Sequence, residues 1–203
     1  MMEYKSNFWD ERYSSEEYVY GTEPNQFFKE QMQKINPAGR LLLPGEGEGR
    51  NAVFAAQLGW EVDAFDQSIA AKQKALNLAS VKNVRINYTN IDLAKFKPQK
   101  EFYECAGLIF VHLTNDIRNE FYQKIIYSLK PNGKLILELF SKDQLGKNSG
   151  GPQNPDMLSS TEEIKNEFKD LKSILLKEEN VYLNEGKNHS GEASVIRFVG
   201  EKV

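Results

Sequence analysis

Three glycines at alternate positions are the first residues of this chain that predict chemistry. They are Gly45, Gly47 and Gly49 in the stretch LLLPGEGEGRNAVFAAQLGWEVDAFD (41–66), and a glutamate fills each gap between them. The apolar run before them is typical of a buried strand, and the apolar spacing after them is typical of a helix. A glycine turn at that junction lets backbone N–H groups approach a ligand closely. The spacing therefore predicts a small-ligand site at this turn.

The residues around the glycines exclude the two common phosphate-binding turns. The dinucleotide motif G-x-G-x-x-G requires a third glycine where this chain has Arg50, and the Gly-Lys-Ser/Thr ending of a P-loop is absent. Glu46 and Glu48 would also repel a pyrophosphate. These features favour a nucleoside that lacks phosphates and carries positive charge. S-adenosylmethionine (SAM) fits that description.

Two carboxylates follow the next two predicted strands. Asp66 ends the strand EVDAFD, where it can accept hydrogen bonds from both ribose hydroxyls, and Asp92 in NIDL can accept from the adenine amino group. Either acid alone is otherwise often a helix cap or a solvated loop residue. With the glycine turn they mark three successive strand ends, so we predict a SAM site there. The predicted site also includes residues beside these motifs: Asn51, Gln67, Leu93 and Phe110.

Both histidines of the chain are candidate general bases. His112 follows the fourth predicted strand in FVHL, and His189 lies in the loop between the last two predicted strands. SAM can donate its methyl group to an acceptor, and a base is needed for that reaction only if the acceptor must lose a proton. The alternatives stay open, because a lone histidine after a strand often bonds a loop carbonyl and a hairpin histidine is usually solvated.

Candidates for contact with the acceptor come from two other groups of residues. Arg118 and Arg197 can pair with an anionic acceptor, although each is equally suited to a structural ion pair. The segment SGGP (149–152), which includes Gly151, can form an anion-holding nest of backbone amides or serve only as a connector.

Strand and helix patterns alternate along most of the chain. Five strands are predicted, at 40–44, 61–66, 84–88, 105–111 and 134–140. Three helices are predicted between them, over 50–58, over 69–79 after a Ser68 cap, and through Ile117, Phe121, Ile125 and Leu129 to a KPNG turn. This order predicts an α/β fold with a mostly parallel sheet and helices on both faces, and ligands at the carboxyl ends of the strands.

The alternation stops after Phe140. A loop of about twenty residues rich in Gly, Pro and Asn follows, and loops of that length are often functional. A capping box at Ser160 or Thr161 predicts a helix through 168. Two late strands, near 174–183 and 193–199, predict an antiparallel hairpin on the sheet edge.

Composition narrows the class of protein. A length of 203 residues suits one domain, predicted as 1–203, and 40% apolar with 27% charged residues exclude a disordered chain. A net charge of −3 argues against nucleic acid as a partner. The single cysteine, Cys105, excludes an intrachain disulfide and a thiolate metal cage, and no metal is predicted. No signal peptide and no run near the ~20 apolar residues that span a bilayer occur, so we expect a cytoplasmic protein without a membrane partner.

Several motifs taken together resemble a known family. They are FWDERY, YGTEPNQFF, GEGEGRNAVFAAQLGWEVDAFDQS, NIDL, FVHL with Arg118, LKPNGKLILELFSKDQ, GGPQNP with ML, and NEGKNHSGEASVIRFV. The chain is similar to class I SAM-dependent methyltransferases, in particular the small bacterial enzymes close to the tellurite-resistance and thiopurine methyltransferase groups. The resemblance implies a Rossmann-like domain of seven strands with the last antiparallel, SAM as cofactor and S-adenosylhomocysteine (SAH) as product. It also implies a small-molecule acceptor, and we expect a monomer or homodimer.

The resemblance assigns roles to two segments outside the sheet. Residues 1–35 would fold over the cofactor as a helical lid, and residues 141–160 would form a loop on the substrate side. Trp9 and Tyr20 would then present aromatic rings to the sulfonium, while Tyr13 would contact the substrate. The alternative is an amphipathic helix that packs its rings on the domain. The resemblance also makes His189 a substrate contact.

One position departs from the family pattern. The family often has an acid two residues before the first glycine, to hold the methionine amine, and this chain has Leu43 there. Glu46 or Glu48 is the candidate replacement. The alternative is that both are exposed turn residues, which is the expectation we favour for Glu48.

Three functions remain compatible with the sequence. We favour a methyltransferase that acts on a small thiol, hydroxyl or chalcogen acceptor. A methyltransferase acting on protein or RNA is the second, and a SAM-binding module without catalysis is the third. Labelled SAM with a panel of small nucleophiles distinguishes the first from the third, and size-filtered cell extract distinguishes the first from the second.

Overall fold

Seven strands form one sheet in the computed structural model, which describes residues 6–203 and, among them, side chains from Phe8 onward. The strands are β1 (Arg40–Pro44), β2 (Glu61–Asp66), β3 (Asn87–Asn90), β4 (Tyr103–Ile109), β5 (Leu129–Phe140), β6 (Leu171–Asn184) and β7 (Ser190–Lys202). The helices are α1 (Ser6–Tyr13), α2 (Gln26–Met32), α3 (Arg50–Gln57), α4 (Ile69–Val81), α5 (Asn115–Ser128) and α6 (Thr161–Glu167).

The strand order is β3-β2-β1-β4-β5-β7-β6. The first five strands of the chain pair in parallel, and β7 runs antiparallel to both β5 and β6. The predicted α/β class, with a mostly parallel sheet and an antiparallel edge hairpin, is confirmed. The order reverses between β1 and β4, so the carboxyl ends of these two strands flank the point where such sheets bind ligands.

Helices cover both faces of the sheet because successive strand residues point to opposite sides. On β1, Leu41 and Leu43 pack with residues of α2, α3 and α4, whereas Leu42 packs with residues of α5 and α6. Cys105 is fully buried, as expected for a small apolar residue of β4. Among residues 6–203, no helix has the length and apolar character that crossing a bilayer requires.

Some predicted boundaries were wrong. The third strand was expected at 84–88, but its ladder with β2 begins only at Asn87 because the Val84 N–H is already bonded to the Ala79 carbonyl at the end of α4, at 3.0 Å. The fourth strand lies two residues earlier than predicted. The fifth begins at Leu129, directly after α5, and the expected KPNG turn forms an irregularity inside it, with Asn132 in the left-handed region at φ 64°.

The late part of the chain is more ordered than its composition suggests. The first hairpin strand begins three residues earlier and ends one residue later than predicted, and the second extends three residues further at each end. The Ser160 capping box with Glu163 is present. Within the 141–160 loop, short 3-10 helices occupy Lys142–Gln144 and Pro155–Met157. A bridge between Ser141 and Ser159 closes this loop at its base. The loop is therefore held against the carboxyl end of β5.

The connection from β3 to β4 contains only a short 3-10 helix, Leu93–Lys95. A cavity of about 460 Å³ lies beneath it, against the middle of β2 and β3. Its polar lining includes Asp63, which accepts hydrogen bonds from Tyr103 at 3.1 Å and Asn87 at 3.0 Å. Its lining also includes Phe65 and Ile91, so the cavity extends toward the strand ends that carry the predicted site.

Candidate active site

The glycine turn joins β1 to α3 at the switch in strand order. Gly47 and Gly49 have φ angles of 63° and 87°, in the left-handed region. A Cβ on Gly47 would lie 2.8 Å from the Tyr13 hydroxyl oxygen, and a Cβ on Gly49 would lie 2.6 Å from the Cβ of Ala75. The turn therefore needs glycine at both positions, because the N-terminal segment and α4 close on it. Gly45 also has a positive φ, of 59°.

Asp66 ends β2 and is buried beside the turn. One carboxylate oxygen accepts from the Gly47 N–H at 3.1 Å, and the other accepts from the Ser68 N–H at 2.9 Å. Burial raises the pKa of Asp66 to about 6, even though these hydrogen bonds favour the ionised form. Each carboxylate oxygen has a further lone pair, so Asp66 can still accept hydrogen bonds from hydroxyls of a ligand.

Glu46 lies on the turn itself. One of its oxygens accepts from the Ala52 N–H at 2.7 Å. Burial raises the pKa of Glu46 to about 7, against the opposing effects of that hydrogen bond and of the Arg50 charge. Glu46 is half-buried, and a carboxylate with a raised pKa is stabilised by a cation that binds beside it. Asn51, a predicted cofactor contact, is buried and uses its side-chain oxygen to accept from the Asn25 N–H at 2.9 Å, which ties α2 to the turn.

The expectation of an exposed Glu48 was wrong. Its side chain is buried and accepts from the Val19 N–H at 2.8 Å, the Tyr20 N–H at 3.4 Å and the Lys74 ammonium at 2.7 Å. The N-terminal segment crosses the turn at this point, and its backbone donors need an acceptor there. Glu48 therefore anchors the segment, and Glu46 is the turn carboxylate left to act on a ligand.

We expect Glu48→Ala to destabilise the fold by about 3 kcal/mol. It removes the carboxylate partner of the Lys74 ammonium, which keeps only the Glu17 carbonyl at 2.6 Å, and it leaves the Val19 N–H without its acceptor. The Lys74 side chain is only 13% exposed. A chain of this length should then lose roughly 6–12 °C of melting temperature, measured by calorimetry. Glu61→Ala, which breaks an exposed ion pair with Arg40, is the matched control and should change little. Equal melting temperatures for the two variants would contradict the anchoring role.

Aromatic residues of the N-terminal segment stack over the turn. The rings of Trp9 and Tyr13 stack with centroids 5.6 Å apart, and Tyr20 lies 6.3 Å from Tyr13. Asp10 fixes α1 to the start of α4 by accepting from the Ser68 hydroxyl at 2.5 Å, while the Ser68 side chain also caps α4 as predicted. The described part of the predicted 1–35 segment therefore covers the turn; residues 1–5 lie outside the described residues.

The remaining predicted cofactor contacts follow β2, β3 and β4. Asp92 is exposed and accepts from the Ala94 N–H at 2.8 Å, so it is a helix cap, as one alternative predicted. This hydrogen bond uses only Oδ1 of Asp92, so contact of the other carboxylate oxygen with the adenine amino group stays a prediction. Leu93, Gln67 and Phe110 are half-buried at the same edge, and Phe110 has a φ of 55°.

His112 lies on the other side of the switch point. Its Nδ1 is 3.1 Å from the Met157 carbonyl oxygen, which only a protonated nitrogen can bond. The neutral ring therefore keeps its lone pair on Nε2, and that atom is buried without a hydrogen-bond partner in the described part of the chain. Burial lowers the pKa of His112 to about 4, so the ring is neutral near pH 7.

His189 is buried rather than solvated. Its ring lies 4.6 Å from both the Tyr20 and Phe110 rings and 5.3 Å from Phe140, by centroids. Its Nδ1 lies 3.5 Å from a Glu185 oxygen, an ion-pair distance but longer than a good hydrogen bond. Burial lowers the pKa of His189, and Glu185 opposes the shift. The two histidines thus flank one aromatic group, since His112 also stacks on Phe140 at 5.4 Å.

The arginines proposed for an anionic acceptor already have partners. Arg118 is buried and its Nε donates to Glu167 at 2.8 Å, while Arg197 pairs with Glu138 and Glu179. The structure favours the ion-pair alternative for both. Gly151 has a φ of 91°, and a Cβ there would lie 2.8 Å from the Phe140 ring, so its segment packs against the aromatic group.

Sequence patterns missed a buried polar network that joins the two halves of the site. Glu185 accepts from Arg50 at 2.8 Å and from the Asn25 side chain at 2.9 Å, and Arg50 also donates to the Tyr20 carbonyl at 3.3 Å. The sequence signal that could have pointed to this network was Arg50, which stands where the dinucleotide motif has its third glycine. Within the described residues, no group of three or more His, Cys, Asp or Glu is arranged to hold a metal ion.

Comparison with known proteins identifies the family. The family of the tellurite resistance protein TehB matches residues 5–199. The chain belongs to the TehB family. The prediction of a class I SAM-dependent methyltransferase of the TehB type, with SAM as cofactor, is confirmed. No curated protein matches the chain in sequence.

Solved structures share the TehB fold seen here at low sequence identity. TehB from Haemophilus influenzae is 14% identical with a TM-score of 0.70, over 98% of this chain and 67% of that one. A SAM-dependent methyltransferase from Methanosarcina mazei is 12% identical with a TM-score of 0.70, over 89% and 99%. The 1,6-didemethyltoxoflavin-N1-methyltransferase of Burkholderia thailandensis, solved with its acceptor and SAH, is 14% identical with a TM-score of 0.64, over 88% and 77%. These similarities show the fold.

Proposed function

We propose that this TehB-family protein transfers the SAM methyl group to a small-molecule nucleophile, a thiol, hydroxyl or chalcogen compound. The observation that carries the proposal is the aromatic group beside the switch point. The rings there are linked by contacts of 4.6 to 5.4 Å between centroids, and they are those of Tyr20, Phe110, Phe140 and the two histidines. Such a lining suits a small, largely apolar acceptor better than a protein or RNA segment. The toxoflavin-type enzyme with the same fold likewise acts on a small molecule.

The residues around the turn fit SAM. Glu46 would take the methionine ammonium, since it is a half-buried carboxylate with a raised pKa on the turn. Asp66 would accept the ribose hydroxyls, and Gln67, Asp92, Leu93 and Phe110 would surround the adenine. Gly45, Gly47 and Gly49 allow the backbone to approach. The negative charges of Glu46 and Asp66 would repel a phosphate, which is consistent with a phosphate-free nucleoside.

Bound SAM supplies the methyl group on a sulfonium, whose sulfur leaves as the neutral thioether of SAH. The rings of Trp9 and Tyr20 can stabilise that sulfonium before its charge disappears, at about 0.5–2 kcal/mol each. The N-terminal segment would act as the lid that keeps water out, and the aromatic group around His189 and Phe140 would hold the acceptor in line with the methyl group.

His112 would act as the general base for an acceptor that loses a proton. As the acceptor heteroatom bonds to the methyl carbon and the carbon–sulfur bond breaks, Nε2 takes the proton of the acceptor and later releases it to solvent. A base with a lowered pKa is sufficient for this step, because a heteroatom that has gained a methyl group is a far stronger acid than before. His189 would contact the acceptor.

Two measurements test the proposal. Titration calorimetry should show SAH binding to the full chain, and labelled SAM should give a methylated product with at least one of thiophenol, catechol and benzeneselenol. Binding without turnover of any small acceptor, together with labelling of macromolecules in cell extract, would favour the protein or RNA alternative. Binding without any transfer would leave a SAM-binding module, and absence of binding would reject the cofactor site.

We expect His112→Gln to lower kcat/KM for a hydroxyl acceptor by about 10²–10⁴-fold, the usual contribution of a positioned base. The dissociation constant of SAH should stay the same, because His112 lies on the acceptor side. With a thiol acceptor studied above its own pKa, the effect should shrink, since the nucleophile is then already ionised. A uniform loss with all acceptors and pH values would instead indicate a structural role.

A further inference from the structure

Arg12, a residue of the FWDERY motif to which the sequence assigned no role, lies among the aromatic rings that cover the turn. Its guanidinium carbon is 5.1 Å from the Phe8 ring centroid and 5.9 Å from that of Trp9, and its Nη1 donates to the Tyr20 hydroxyl at 3.4 Å. Within residues 8–203, no carboxylate pairs with it, whereas Arg50 and Arg118 each pair with a glutamate. A guanidinium has five N–H donors, so most of the capacity of Arg12 is unused by these residues.

The location of Arg12 is set by its neighbours on the site. The next residue, Tyr13, reaches Gly47 of the turn, and Tyr20 contacts the His189 ring. The positive charge of Arg12 also contributes to lowering the pKa of His189, so its field extends to the acceptor side. Arg12 is therefore positioned between the glycine turn and the acceptor group.

The methionine end of SAM carries an ammonium and a carboxylate, and each needs a partner of opposite charge. Glu46 is the acidic partner on the turn. The other cations near the turn are already paired, Arg50 with Glu185 at 2.8 Å and Lys74 with Glu48 at 2.7 Å. Arg12 is the cation that these pairs leave available, and a guanidinium can bind a carboxylate through two parallel hydrogen bonds.

We infer that Arg12 binds the methionine carboxylate of SAM and so holds the N-terminal segment closed over the bound cofactor. The inference rests on the proposed cofactor site. Because SAM and SAH share this carboxylate, the contact stabilises substrate and transition state equally. It should therefore appear in binding and KM and leave kcat nearly unchanged.

A matched pair of ligands isolates the contact. Decarboxylated SAM differs from SAM only by the missing carboxylate and keeps the ammonium and the adenosine. Titration calorimetry on the full chain should show that the wild type prefers SAM by about tenfold to a hundredfold. Arg12→Met should lower the affinity for SAM by that factor and leave the affinity for decarboxylated SAM unchanged, so the preference disappears. Arg12→Lys should keep part of it, because the charge remains but the paired donors do not.

Arg85→Met is the control for the loss of one positive charge, since Arg85 is exposed on the approach to β3. It should keep the full preference. An equal loss of affinity for both ligands in Arg12→Met would overturn the inference and indicate a structural role in the segment, and so would an unchanged preference. If the wild type binds neither ligand, the cofactor site itself is rejected. Binding of decarboxylated SAM by Arg12→Met shows at the same time that this variant is folded.

Discussion

Asp66→Asn should weaken SAH binding by about a hundredfold, or about 2.7 kcal/mol, because two hydrogen bonds to a charged acceptor are lost or weakened. The amide keeps the size of the side chain and one acceptor oxygen. Its NH₂ group, however, replaces an oxygen that would accept from a ribose hydroxyl and that already accepts from a backbone N–H. The measurement is titration calorimetry with SAH near pH 7.5, where the wild-type carboxylate, with its pKa of about 6, is ionised.

The fold should survive this change. Asp66→Asn weakens one hydrogen bond to Gly47 or Ser68, at a cost of about 1 kcal/mol, so the melting temperature should stay within roughly 4 °C of the wild type. Asp63→Asn is the control on the same strand, because Asp63 bonds Tyr103 and Asn87 away from the strand ends. Full SAH affinity in Asp66→Asn, or an equal loss in Asp63→Asn, would count against the ribose contact.

Sequence patterns were sufficient for the sheet but not for its irregular parts. Continuous apolar runs such as CAGLIFV predict buried strands because both faces of the sheet are covered, and β4 lies where that run predicts it to within two residues. The start of β3 could not be predicted, since it depends on where the hydrogen bonds to α4 end, which is at Val84. The length of the last hairpin also depends on a partner strand distant in sequence.

For the site, sequence located the residues but not their partners. The glycine spacing and Asp66 were readable because the chain forces them close together at adjacent strand ends. The burial of Glu48 was not, because its partners Val19, Tyr20 and Lys74 come from separate segments that only the tertiary fold brings to the turn. The role of Arg12, although the residue stands in the FWDERY motif, could not be predicted for the same reason. Charged residues on a short helix usually face solvent, and only packing shows which of them lacks a partner.

We expect SAM affinity to depend on pH through Glu46. A pKa raised to about 7 means that the free protein holds a proton on Glu46 at pH 6, and this proton must leave before the carboxylate can pair with the methionine ammonium. Affinity should therefore rise about tenfold per pH unit up to about pH 7 and then level off, because one proton is released per ligand bound. Above about pH 8 the α-amino group of the ligand itself begins to lose its proton, and affinity should fall again.

The stability of the free protein should respond in the opposite direction. Since the folded-state pKa of Glu46 lies above the ordinary value of 4.5, its contribution favours the fold below about pH 4.5 and is lost as pH rises through about 7. Asp66 acts in the same sense between its ordinary value of 3.8 and about 6. The increase in melting temperature caused by SAH should consequently grow from pH 6 to pH 7.5, because the ligand stabilises the ionised carboxylates of Glu46 and Asp66.

Glu46→Gln should remove the rise with pH and lower SAM affinity about thirtyfold at pH 7.5, in the range that partly buried charge pairs contribute. Calorimetric titrations at half-unit intervals of pH measure both effects. The variant should bind 5′-methylthioadenosine as the wild type does, because that ligand lacks the ammonium. It should bind decarboxylated SAM more weakly than the wild type does, because that ligand retains the ammonium. Arg12→Met should leave the affinity for decarboxylated SAM unchanged, so this ligand distinguishes the two residues. If the rise up to pH 7 persists in Glu46→Gln, the proton belongs to another group and Glu46 does not hold the amine.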